Sequence, residues 1–148
     1  MTSSSANLPP HYNDGPIDIF PRRRLRQYVN NMFTMIDHSD YTVTGLRKVI
    51  ADATSFFGDD VVAEILRSIE RDSDEHGVYG IAILRMLATS AAIDALWRIA
   101  NDEDYGPWMQ FDALCSLRHL GAEVNMHTLT ALGNQCEQAL PRMRLEIP

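Results

Sequence analysis

Little in this chain announces a chemistry. Only two cysteines, Cys115 and Cys136, occur in 148 residues, well separated and without a second close pair, so no disulfide framework is spelled out. Both fall on helical faces, where a reduced thiol packs as a small apolar side chain. Lysine is nearly missing, Lys48 being the only one, and nothing in fold physics demands that bias. Positive charge is in deficit as well: 13 Lys plus Arg against 20 Asp plus Glu give a formal net charge of -7. General nucleic-acid binding rests on phosphate neutralisation and is therefore disfavoured, whereas a basic protein would be attracted. No stretch approaches the ~20 apolar residues of a membrane span. The N-terminal MTSSSANLPPHYNDGP has no charged start followed by an apolar run, so no secretory signal is expected and a cytoplasmic protein is.

Catalytic signatures are missing too. There is no glycine-rich phosphate loop and no GxSxG turn. The five histidines, His11, His38, His76, His119 and His127, show no HExxH spacing, and none is followed by glutamate. The run Asp72 to Gly77 starts as an EF-hand loop does, but His76 and Ile83 stand at its fifth and twelfth places, where the coordinating carboxylate would be needed. Its acidic groups suit the amino end of a helix instead. Cys115 lies one helical turn before His119, yet beside the Leu114, Leu117, Leu120 face, which points to packing rather than to a nucleophile. No catalytic residue, metal or cofactor is expected.

What the chain does have is a repeat. Asp59 to Ser90 and Ala91 to Gly121 each run helix, acidic turn, helix, stop. A shift of thirty positions lays Leu66 on Leu96, Ile69 on Ile99, Asp72 on Asp102, Asp74 on Asp104, Leu84 on Leu114 and Leu87 on Leu117. Both apolar faces and the turn therefore recur together.

The remaining segments fit around that unit. Residues 1–20, rich in Ser, Asn, Pro and Gly, predict a flexible tail pinned at its end by Ile17, Ile19 and Phe20. Pro21 opens a helix with Leu25, Tyr28, Val29, Met32, Phe33 and Ile36 on one side. A second helix, with cap candidates Ser39, Asp40 and Thr42, carries Val43, Leu46, Ile50, Ala53 and Phe57 and stops at Gly58. After the repeats, Asn125 caps a last helix striped by Met126, Leu129, Leu132, Cys136 and Leu140, which Pro141 should end. Seven helices in three antiparallel pairs plus one follow, within a single domain over 21–148 that can bury roughly 70% of its unfolded surface. A hairpin cannot bury its apolar stripe alone, so stacking into a short α-solenoid is expected.

With Asp102, Asp104, Pro107, Met109, Ala113, Leu117 and Gly121 in order, the chain resembles the HEAT repeats of the short, roughly thirty-residue kind found in bilin-lyase-type proteins. It departs from the pattern at Gln110 and Gly80, where arginine is usual, and at Asp112 and Leu114, where alanine is. The resemblance covers residues 59–121 best. It implies an all-α, right-handed solenoid with a terminal capping helix, acting as a protein-binding scaffold. A small-ligand enzyme of the bilin-lyase type is the alternative it allows.

Two surfaces are candidates. GVYGIAILRMLAT is apolar around most of its circumference, so something must cover it: either the flanking helix pairs do, or Tyr79, Ile83 or Met86, with Trp97 and Trp108 from the next unit, contribute to a patch for a protein partner or a second copy. The run Arg22, Arg23, Arg24 and Arg26 is the one concentration of positive charge; it serves as an ordinary solvated helix face or, as the alternative, as a footing for RNA, lipid headgroups or an acidic partner. The expected function is a non-catalytic scaffold with an acidic rim for a basic or amphipathic protein, an immunity- or antitoxin-type binder being one form of it.

Overall fold

The computed structural model describes the backbone of residues 21–38 and 42–146, and the side-chain surroundings of 23–38 and 42–138. The expected tail over 1–20, with Ile17, Ile19 and Phe20, the cap candidates Ser39 and Asp40, and the side chains of Arg22 and Leu140 lie outside the described residues. Among the described residues the protein is all-α. Seven helices, α1 Pro21–Asp37, α2 Val43–Phe57, α3 Asp60–Arg71, α4 Ser73–Leu87, α5 Ser90–Asn101, α6 Pro107–His119 and α7 Met126–Glu146, are joined by short connections, with one 3-10 turn at Glu103–Tyr105. No described helix is long and apolar enough to cross a membrane. The chain divides into two compact units, the boundary falling inside α3 between Glu64 and Ile65.

In the first unit α1 packs on α2. Leu25, Val29, Met32 and Phe33 are buried from one helix and Leu46, Ile50 and Ala53 from the other, a spacing that puts each set on one helical face. Thr42 starts α2, its hydroxyl accepting from the Gly45 amide at 3.0 Å, and Gly58, at φ 58°, ends it. Tyr28 meets Phe56 and Phe57 edge-on, with centroids 5.9 and 5.7 Å away. Edge-to-face contacts of this kind let the positive ring edges meet the negative faces.

The second unit is organised around α6, which packs on α4, α5, α7 and the 3-10 turn. Its buried Met109, Ala113, Leu114 and Leu117 meet a core that also takes in Ile81, Ile83 and Leu84 of α4, Leu96 and Ile99 of α5, and Leu129, Leu132 and Cys136 of α7. Two helices approach very closely. A Cβ on Gly77 would lie 2.8 Å from the Met109 sulfur, and one on Gly133 would lie 3.1 Å from the Phe111 ring, so only hydrogen fits without a shift.

Two expectations about boundaries are corrected. The run Asp72 to Gly77, expected as a turn, is the first turn of α4. Asp72 alone makes the connection: its carboxylate accepts from the Glu75 amide at 3.2 Å, and Asp74 and Glu75 then sit beside the unpaired amides of the helix start. Pro141 does not end the last helix either, since α7 continues to Glu146. A proline inside a helix removes one amide donor and crowds the carbonyl four residues back. Here that carbonyl belongs to Glu137, an exposed residue, so water can take the donor's place.

Candidate functional site

Asp72 and Asp102, thirty positions apart, each cap a helical start, α4 itself in the first case and the 3-10 turn ahead of α6 in the second. The Asp102 carboxylate accepts from the Asp104 amide at 2.9 Å and nucleates the 3-10 turn, after which Gly106 at φ 84° and Pro107 launch α6. Pro107 costs that helix nothing, because a first-turn amide has no partner to lose. The two helices launched this way, α4 and α6, lie side by side and run in the same direction. Gly77 approaches Met109 near their amino ends, and the Arg85 guanidinium donates to the Ser116 hydroxyl at 3.5 Å further along. Both acidic turns consequently fall at the same edge of the α4 and α6 pair.

Just inside that edge are two of the most exposed large apolar side chains among the described residues, Val78 at 61% and Trp108 at 45%. They follow and precede the residues of the tight Gly77 and Met109 approach, and the thirty-residue shift superposes one on the other. Behind them the pair becomes polar. Asp112 is half-buried, and its carboxyl is pushed above the usual range by desolvation, which the nearby Arg85 guanidinium only partly offsets. Ser116, wholly buried, accepts from Arg85, so one guanidinium serves two groups on the opposite helix. The Cys115 thiol beside them is also pushed up, first by burial and then by the Asp112 charge, against the opposing effect of Arg118. A raised thiol is less often a thiolate, which makes it a poor nucleophile.

The expected patch is only partly assembled. Trp108 is on the surface, and Tyr79, Met86 and Trp97 are each partly exposed. Ile83 drops out of the patch: it is 0% exposed and belongs to the core, because the neighbouring α5 and α6 cover α4 there, the other of the two outcomes open to this helix. Val78 was missed. Its signal was available in the repeat, which sets it opposite Trp108.

The arginine run of α1 is in part structural. Arg26 stands 3.8 Å from the Glu64 carboxylate, whose side chain is 0% exposed, so a buried charge holds this guanidinium at a helix start where the dipole alone would not favour it. Arg23 and Arg24 also have partners, and the Arg22 side chain lies outside the described residues.

Elsewhere the second unit is laced by polar links. Glu70 of α3 accepts from the Tyr105 hydroxyl at 3.1 Å and from Arg98 at 3.4 Å, and burial followed by the Glu70 contact raises the Tyr105 hydroxyl above its ordinary value. No group of three or more His, Cys, Asp or Glu side chains among the described residues is placed to hold a metal ion. Comparison with protein-family models, with curated proteins and with solved structures finds no match.

Proposed function

We propose that this protein is a non-catalytic binding module built as a short solenoid of HEAT-like helix pairs, and that α4 and α6 present its binding face to a basic or amphipathic protein segment. The observation that carries the reading is the exposure of Val78 and Trp108 at equivalent repeat positions beside two acidic turns. Apolar anchors ringed by charge of one sign are a common composition for a protein-recognition surface, the anchors supplying affinity and the charge supplying orientation and encounter rate. The co-directional packing of α4 on α6, with Asp72 capping α4 and Asp102 capping the 3-10 turn that precedes α6, is what stacked hairpins would produce. Masking of a basic protein, as an immunity- or antitoxin-type binder does, is one form this activity would take.

The test is affinity capture from the native lysate with wild type beside a Val78→Glu, Trp108→Glu double variant. Both positions are exposed, so the variant should keep its helicity and melting temperature. A stoichiometric protein retained by wild type and lost by the variant is the expected result. A partner that survives both substitutions would place the binding face elsewhere and remove the reading.

A further inference from the structure

A hollow of about 660 Å3 opens where the carboxyl end of α5, the 3-10 turn, the first turn of α6 and the first half of α7 meet. That volume lies within the range of about 300–1,000 Å3 usual for ligand sites, so it has room for a long side chain together with part of the backbone that carries it. Part of its lining is apolar: Ala100 and Leu132 are both buried, and Pro107 and Ala131 lie beside them. The polar lining sets one carboxylate, Glu103, among Gln110, His127, Thr128 and Gln135, which can each donate or accept. Glu103 is exposed, and its carboxylate has neither a hydrogen bond nor an ion pair among the described residues. Gln110 spends its amide group on the Ala100 carbonyl at 3.1 Å, which leaves its oxygen to accept. Asp102 and Asp104 flank Glu103 in the chain and add to the negative field.

The amino ends of α6 and α7 bring partial positive charge of about half a unit each to this place, but the full charge of Glu103, with Asp102 and Asp104 beside it, outweighs them, so a cation is favoured over an anion. A side chain with an aliphatic stem and a cationic head satisfies both halves at once, the stem lying on apolar surface while the head meets acceptors. We propose that this hollow is a socket for one arginine or lysine side chain of the basic partner, its stem against Ala100, Leu132 and Pro107 and its head held by Glu103 and Gln110. The socket adjoins the α4 and α6 face through Pro107 and Trp108, consecutive residues of α6. It rests on the binding-module reading for the identity of its occupant, and it adds what that reading lacks, a position that fixes the partner's register.

The experiment uses the isotopically labelled full chain titrated by NMR with N-acetyl-arginine amide, N-acetyl-lysine amide and the uncharged N-acetyl-citrulline amide. His127 also lines the hollow. The expected result is saturable shifts of the side-chain amide signals of Gln110 and Gln135 with the arginine or lysine probe and none with citrulline. Glu103→Gln should weaken that binding about tenfold. Ala131→Phe, at an exposed helical position, should fill the hollow and abolish it. Equal shifts from citrulline, no response to either cation, or unchanged affinity in Glu103→Gln would overturn the socket. The Val78→Glu, Trp108→Glu variant leaves the lining intact and should still bind the free amides. Loss of protein capture and loss of the socket are thereby separate outcomes.

Discussion

Asp112 is where burial and charge oppose each other. Its carboxyl is raised by desolvation despite Arg85, so the folded protein holds that proton more tightly than the unfolded chain does. A carboxylate with a raised folded value makes stability fall as pH rises from the ordinary carboxylate range through the raised value. Above that window the charged form is a standing cost. Asp112→Asn keeps the shape and removes the titration, so the variant should melt higher than wild type at neutral pH, and the difference should disappear below the ordinary carboxylate range. Thermal melts across pH check this, and a variant that melts lower at neutral pH would mean that the Arg85 interaction outweighs burial. Residue chemistry of this sort was not legible in sequence. Asp112 was visible there only as a departure from a repeat pattern, because its partner lies on another helix and its burial depends on how α4 and α6 are spaced.

At the scale of elements, far more could be read in advance. Helical periodicity, Thr42, Asn125, Pro107 and the glycines after α2 and α6 mark boundaries through local chemistry, which the surrounding fold does little to change. The two boundaries that sequence misplaced are cases where a local rule has a weaker and a stronger form. An acidic run can make a turn or complement a helix start, and Asp72 decides for the helix by capping it. A proline forbids one hydrogen bond but ends a helix only if the orphaned carbonyl has no alternative, and at Glu137 it does. The equivalence of Asp72 and Asp102 gives a prediction proper to this scale. Removal of an aspartate cap costs about 0.5–2 kcal/mol. Asp72→Ala and Asp102→Ala should each fall in that interval in denaturant unfolding, and the Asp72 variant should lose more helical signal, since its cap opens α4 directly whereas Asp102 caps only the three-residue 3-10 turn.

For the molecule as a whole, the sequence showed an acidic all-α chain with an apolar surplus, and the placement of that surplus was what it could not show. Ile83 and Val78 are both aliphatic residues of one helix; which is core and which is surface depends on the direction from which α5 and α6 cover it. The formal charge of -7 at pH 7 opposes association of copies, while the exposed Val78 and Trp108 favour it. The balance should shift near the isoelectric point of about 5.1, where the repulsion vanishes and the apolar contact remains. Light scattering on wild type is expected to show reversible self-association as the pH falls from neutrality toward that value. Trp108→Glu adds a carboxylate at the centre of the contact and removes the largest exposed ring, so it should suppress association at matched distance from its own isoelectric point. If wild type and variant associate equally there, net charge alone governs solubility, and Trp108 is an exposed aromatic with no part in bringing copies together.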